Sequence, residues 1–577
     1  MGSFSLLKPY FYERRRLIFT GIICLMIVDV LQLFIPRVIK WAVDDLAALS
    51  IDYSQLSVYA GEIIIIAVFM AILRFVWRRF LIGTSRVVEE GLRNRLFAHI
   101  QTLSASYFDQ AKTGDLMAHA TNDINNIRMA VGMGMVAFTD AVFLGLAAIG
   151  FMAYINIKLT LFALIPMPII IFLTRKFGQK MHRRYTTVQQ SFSDVTEVVR
   201  ESFAGIRIVK AYNLEEPEYQ RLDRSSRNYI RENLKLVRIT GSFFPMMLLF
   251  TNISLTIVIF LGGRQTITQV ITPGDFVAFI NYLNLLIWPM MAMGWVTNLI
   301  QRGAASLDRI NKILETRPAV VDAPDAEGLS DFQGDIEFER VSFAYHSEAS
   351  PVIDDLSLHV PKGRVMGIIG PQGGGKTTLL KLIPRLYDVQ TGRITIDGKD
   401  IRNIKLGELR RHIGFVSQEP FLFSGTIREN VAFGKAADDD QILEAVRAAA
   451  LDETIAEMPN GLDTIVGEKG VILSGGQKQR IVLARALIHE TPVLLLDDPI
   501  GQVDTETAAR IIHTLRSFAG DRTIIIASHR IPAVQFAEQI IVLDQGRIIE
   551  SGTHAQLIEK GGYYANTYQI QSLEAAE

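Results

Sequence analysis

Six long, predominantly apolar runs stand out along the chain, at about 17–39, 56–80, 129–155, 158–176, 241–263 and 276–299. Each approaches or exceeds the ~20 residues needed to cross ~30 Å of hydrocarbon. The pattern predicts six membrane helices in the first half of the chain. The first run is longer than the apolar core of a signal peptide, and no small-residue cleavage site follows it. Basic residues set the orientation. Arg14, Arg15 and Arg16 precede the first span, and Arg78, Arg79, Arg86, Arg93 and Arg95 follow the second, while Asp44, Asp45 and Asp52 lie between. By the positive-inside rule the N-terminus and the second connection face the cytoplasm. The connection at 156–158 is then a tight outer hairpin, the basic stretch 177–240 is inside, 262–275 is outside, and everything after the sixth span is cytoplasmic.

The two inner connections are too long for unstructured loops. Apolar residues recur at helical spacing through Val88, Leu92, Leu96, Ile100 and Leu103. Residues 186–236 read the same way, with a break near Gly205. The expected picture is membrane helices that continue into the cytoplasm, joined by turns at 113–115 and 213–216; two small cytoplasmic subdomains are the alternative. Asp29, Glu62, Arg74 and Asp140 fall within spans. Such residues line a polar path, or they pair between helices or snorkel to the interface; both readings stand. Pro36, Pro166, Pro168, Pro245 and Pro289 are candidate kinks. Met246, Met247, Met290, Met291 and Met293 suit an adaptable apolar cavity or plain packing.

The pattern changes after Gly303. A Pro-, Asp- and Ala-rich stretch at 318–327 reads as linker, and from Gly334 short strand-like runs follow. Composition agrees with a chain divided between lipid and water: 49% of residues are hydrophobic and 21% are charged. A net charge of -1 gives no basic signal for nucleic acid, and the lone Cys24 excludes an intrachain disulfide.

Residues 365–369 form a short apolar run followed by Gly370-Pro-Gln-Gly373-Gly-Gly375-Lys376-Thr377. This matches G-x-x-x-x-G-K-[ST], a loop whose glycines let successive N–H groups turn onto phosphates, with Lys376 reaching the β/γ-phosphates and the Thr377 hydroxyl on Mg²⁺. A second run, 493–496, ends in Asp497, a carboxylate suited to Mg²⁺ beside that loop. Between them Leu473-Ser474-Gly475-Gly476-Gln477 opens a helix and is a further anion site.

Together these motifs resemble those of an ABC exporter half-transporter, six membrane helices fused to one nucleotide-binding domain, and the resemblance covers essentially the whole chain. It implies a multidomain architecture: an all-α polytopic membrane domain with long cytoplasmic extensions at 1–303, a linker at 304–333, and an α/β P-loop nucleotide-binding domain at 334–577. It also implies ATP and Mg²⁺ as cofactors. Tyr345 would stack on adenine, and 370–378, including Thr378, would be the phosphate loop. Gln418 would touch Mg²⁺ and Glu468 would contact the cytoplasmic helices. Ser474 and Gly476 would reach the γ-phosphate of a nucleotide held by the other subunit, Asp504 would be the aspartate of the loop after the catalytic strand, and His529 the switch histidine. Residues 205–212 (Gly-Ile-Arg-Ile-Val-Lys-Ala-Tyr) resemble a recurrent family stretch, and the turns near Gly114 and Asn213 would be the coupling helices.

One departure matters most. Asp498 stands where the family usually has the Glu that polarises the attacking water. Its stem is one methylene shorter, and small misplacements can cost ~100-fold in rate. The loop Pro-Ile-Gly-Gln-Val-Asp504 also departs from the common Ala-Thr-Ser-Ala-Leu-Asp, and Thr377 replaces the commoner Ser. The expectation is one half of a heterodimeric exporter in the plasma (inner) membrane, its own site slow and its signature loop completing the partner's site. The substrates expected are amphiphilic drugs or lipids. The alternatives are a homodimeric lipid flippase, or an ATP-gated channel or regulatory subunit.

Overall fold

The computed structural model describes residues 3–49, 52–329, 331–346, 350–467 and 473–574. These form two compact units, one of residues 1–101 and 112–316, the other of 102–111 and 317–577.

The first unit is helical. Among the described residues, six helices are long and apolar enough to cross a membrane: Arg15–Ala47, Tyr53–Thr102, Thr113–Ile155, Ile157–Ala204, Glu215–Ile267 and Pro273–Glu315. The second has 50 residues, about 75 Å at 1.5 Å per residue, so it extends far beyond the hydrocarbon. The extensions predicted from periodicity are therefore helical. Val88, Leu92 and Leu96 pack with Ile124, Ile127, Leu307 and Ile310 in one apolar cluster, closed by a polar knot in which Arg309 Nε donates to Asp123 Oδ2 at 3.0 Å and Ser306 Oγ to Asp123 Oδ1 at 2.8 Å.

The prolines act as their position dictates. A proline ring clashes with the carbonyl four residues back. Helix Ile157–Leu164 stops four residues before Pro168, and helix Pro273–Leu285 stops four residues before Pro289. Pro36 and Pro245 lie inside unbroken helices. The hairpin at Asn156 is tight as expected, its side chain capping the next helix through Leu159 N–H at 2.9 Å. The 262–275 connection is shorter than the sequence suggests, because a π-helical turn at Val258–Gly262 carries the helix on to Ile267. The sixth helix runs past Gly303 to Glu315.

The turn near Asn213 is present, Asn213 taking a left-handed φ of 54° after the short helix Ile206–Ala211. The turn placed at 113–115 is corrected: Gly114 lies inside helix Thr113–Ala118. The chain reverses earlier, around the short helix Ala105–Gln110, where Ser104, Ala111 and Lys112 adopt extended backbone. That segment belongs to the second unit. Val320 N–H donates to Ser104 Oγ at 2.8 Å, and Tyr387 OH donates to Asp109 at 2.9 Å.

The second unit is built on two main sheets. An antiparallel one runs in the order Ile353–Val360, Ile336–Phe343, Thr391–Ile396, Lys399–Asp400. A six-stranded one runs in the order Arg547–Gly552, Gln539–Asp544, Val365–Ile369, Thr523–Ala527, Val493–Asp497, Ile413–Val416. All its neighbours pair in parallel except the edge strand Arg547–Gly552. Val365–Ile369, Val493–Asp497 and Thr523–Ala527 are buried at every position, as central parallel strands covered on both faces must be.

Candidate functional site

Parallel α/β sheets collect ligand-binding loops at the carboxyl ends of their strands, and this sheet does so. Ala527 pairs with Asp497 and with Ile368, and Val416 with Leu496. Gly370, Gln418, Asp497, Asp498 and His529 therefore leave neighbouring strands at one end.

The glycine loop follows Val365–Ile369 directly. Gly370, Gly373 and Gly375 have φ of 153°, 79° and 103°, values that side chains disfavour. A Cβ on Gly374 would stand 2.7 Å from the Leu543 carbonyl, so the loop is pressed against the sheet on one side, whereas Gly373 faces open space. Helix Lys376–Leu382 opens from it. The Lys376 ammonium folds back onto the carbonyls of Gly370 and Pro371 at 2.7 and 2.8 Å, occupying donors that a phosphate would take. Burial pushes its amine below the ordinary lysine range, partly offset by Asp497 and Asp498.

Asp497 is buried, and its Oδ2 lacks a hydrogen-bond partner among the described residues. Burial pushes this carboxyl above its usual range; the Thr377 hydroxyl bonded to it works the other way, and neighbouring Asp498 raises it again. An orphaned carboxylate oxygen beside a hydroxyl and a phosphate loop is a donor set that fits Mg²⁺. Gln418 is exposed just beyond Ile413–Val416, on the neighbouring strand.

Asp498 has a left-handed φ of 54°, which aspartate tolerates better than most residues. Ser528 Oγ donates to its Oδ1 at 2.8 Å, and His529 Nδ1 lies 3.3 Å from its Oδ2. Its backbone is pinned too: its N–H donates to Ala527 O at 2.7 Å, and Gln479 bonds its carbonyl while accepting from Gln502 N–H at 3.1 Å. Ser528 and Gln479 carry this geometry and were not singled out in the sequence. Their adjacency to His529 and to the 473–477 motif was the available signal.

Tyr345 stands edge-on to Phe343 and Tyr387, with ring centroids 5.0 and 5.2 Å away, and its OH is 3.1 Å from Thr378 Oγ1. Ser474 is exposed and caps helix Gly475–Leu487, accepting from Gln477 N–H at 3.2 Å while Gln477 Oε1 accepts from Ser474 N–H at 2.9 Å. Gly476 is so close to the next loop that a Cβ would stand 2.6 Å from Gln502 O. Asp504 caps helix Thr505–Ser517 through Thr507 N–H at 2.9 Å, and this hydrogen bonding holds its carboxyl below the ordinary range. Glu468 lies outside the described residues.

Residues 18–290 match the family model of the ABC transporter transmembrane region, and residues 353–501 match that of the ABC transporter. The probable multidrug resistance ABC transporter ATP-binding/permease protein YheI of Bacillus subtilis is 37% identical over 579 residues, covering 100% of this chain and 99% of its own. The chain is an ABC exporter half-transporter. The multidrug resistance-like ATP-binding protein MdlA of Escherichia coli is 34% identical over 578 residues, covering 100% of this chain and 98% of its own. The ATP-dependent lipid A-core flippase of Syntrophus aciditrophicus is 38% identical over 490 residues, covering 85% and 81%. A solved structure of a bacterial Atm1-family ABC exporter with ATP bound superposes with a TM-score of 0.79 at 27% identity, covering 96% of this chain and 99% of that one. The half-transporter is thus a multi-pass membrane protein and an ATPase coupled to transport, using ATP with Mg²⁺.

Proposed function

We propose that this half-transporter exports amphiphilic drugs or lipids by alternating access, as one half of a heterodimer whose other half carries the faster site. In this reading the membrane is the plasma (inner) membrane, with the N-terminus and nucleotide-binding unit in the cytoplasm. Lys376, the 370–378 loop and Tyr345 hold ATP; Thr377, Asp497 and Gln418 hold Mg²⁺, which neutralises charge on the phosphates. Asp498 and His529 act on the water, and 474–477 with Asp504 serve the nucleotide of the partner. ATP binds better to the closed pair of nucleotide-binding units than to the open one, and that difference drives the switch of the membrane helices.

The observation that carries the slow-site reading is Asp498, short by one methylene and drawn toward Ser528 and His529. A base set back from the water by about an ångström loses rate steeply. A homodimeric lipid flippase is the second reading, favoured by the intact His529 contact and by the similarity to the lipid A-core flippase. The test is co-purification of this chain with the products of neighbouring reading frames, the partner identified by mass. A second half-transporter with Glu after its catalytic-strand Asp and an altered signature loop supports the heterodimer. Recovery of an active assembly of this chain alone overturns it.

A further inference from the structure

Gly501 lies three residues beyond Asp498, in the loop that leaves strand Val493–Asp497. Its N–H donates to the Asp498 carbonyl at 3.2 Å and closes a turn. Its φ lies outside the left-handed region, so the backbone here makes no demand for glycine. The demand comes from space. A Cβ on Gly501 would overlap Asp498 Oδ2 and stand 2.8 Å from Cγ and 3.3 Å from Oδ1. All three of these nearest atoms belong to the Asp498 carboxyl. Carbon atoms in contact rest ~3.5–4.0 Å apart, so any side chain at 501 has to push the carboxylate aside by about an ångström.

The carboxylate of Asp498 therefore lies in a slot. One wall is Ser528 and His529, with Ser528 Oγ 2.8 Å from Oδ1 and His529 Nδ1 3.3 Å from Oδ2. The other wall is the bare Cα of Gly501. The slot cannot widen freely, because its walls are tied together. Arg530 N–H donates to Ser528 Oγ at 3.0 Å, and Arg530 Nη1 donates to the carbonyl of Ile500, next to Gly501, at 3.3 Å. Asp498 cannot back away either, since its own N–H and carbonyl are held by Ala527 and Gln479. Only rotation of its side chain is left, and Gly501 decides where that side chain can rest.

Two departures of the sequence thus meet in one place. The loop departs from Ala-Thr-Ser-Ala-Leu-Asp by having glycine at the position of Ser, and the carboxylate that fills the vacated space is the one that is short by a methylene.

We propose that Gly501 is a positioning residue for Asp498: the missing side chain is what lets the short carboxylate lie between Ser528 and His529. A glutamate at 498 carries its carboxylate one methylene further out, past the Cα of residue 501, and has no need of the slot. The proposal rests on the reading of Asp498 as the group that acts on the water.

The test uses the full-length chain, with any partner that co-purifies, in lipid nanodiscs. Single-turnover hydrolysis at this chain's own site and equilibrium ATP binding are measured on the same preparations. Gly501→Ala is expected to lower the rate by about tenfold or more, with ATP affinity changed by less than about twofold. The same substitution made together with Asp498→Glu is expected to cost less than about twofold relative to Asp498→Glu alone. Equal losses in the two backgrounds would mean ordinary damage to the loop and would overturn the proposal, as would no loss in the wild-type background. Should Gly501→Ala fail to assemble, the Asp498→Ala/Gly501→Ala double variant decides. Recovery of assembly there traces the fault to the carboxylate and supports the slot; failure there as well overturns it. The slow-site reading fails separately. If Asp498→Glu alone left the rate unchanged while the two Gly501→Ala effects still differed, that reading would fall and the slot would stand. If Asp498→Glu raised the rate and Gly501→Ala acted alike in both backgrounds, the slot would fall and the reading would stand.

Discussion

Ser528 donates its hydroxyl to Asp498 Oδ1 at 2.8 Å. With His529 Nδ1 3.3 Å from the other oxygen, the carboxylate that stands where a glutamate is usual is held from two sides by residues that follow strand Thr523–Ala527. Positioned acid–base groups contribute roughly 10²–10⁴ in rate. His529→Ala is therefore expected to lower turnover at this chain's own site by more than about tenfold while changing ATP affinity by less than about twofold. Single-turnover hydrolysis and nucleotide binding on the same preparation separate the two.

Lys376 is the cation of the glycine loop, half-buried and held at 2.7 Å from Gly370 O. A charge-assisted hydrogen bond is worth about 1.5–3 kcal/mol. Lys376→Ala is expected to weaken ATP binding at this site by about tenfold or more, read by equilibrium binding of a fluorescent ATP analogue. Unchanged binding would contradict the assignment of the loop.

The signature glycines differ in what surrounds them. A Cβ on Gly475 meets only the side-chain end of Gln502, which can swing away, whereas on Gly476 it meets the Gln502 backbone carbonyl at 2.6 Å. Gly476→Ala is expected to displace the loop before Asp504 and abolish transport-coupled turnover, with ATP binding at Lys376 retained; Gly475→Ala is expected to be milder. ATPase rates of the assembled transporter check the order.

Tyr387 supplies a pH dependence. Burial first, then its hydrogen bond to Asp109, pushes its phenol above the ordinary value of 10.0. The folded state thus favours the neutral phenol. That stability is fully present below the unfolded value of about 10 and is lost as pH rises through the folded value. Tyr387→Phe should flatten the alkaline loss of stability, measured as urea midpoints from about pH 9 to 11.

The candidate nucleotide site could be proposed from the sequence because its residues lie in short contiguous motifs whose backbone demands are local. Gly373 and Gly375 need positive φ, and Lys376 and Thr377 must follow at a helix start. The six spans were legible from length and apolarity. What escaped depends on the pairing of distant strands or on unremarkable residues. Ser528 meets Asp498 only because Thr523–Ala527 pairs with Val493–Asp497. The turn expected at 113–115 lies elsewhere because Gly114 marks no turn, while Ser104 and Ala111 break the helix without a glycine or proline signal. Asp504 also serves as a helix cap, the ordinary use of an aspartate before Thr-x-x.

The central claim is that the length of Asp498 limits hydrolysis at this chain's own site. The most direct test is single-turnover ATP hydrolysis by that site in the assembled transporter, comparing wild type with Asp498→Glu. The added methylene is expected to raise the rate by about tenfold or more. An unchanged or lower rate in a variant that still binds ATP would contradict the claim and make Asp498 a working base in its own right.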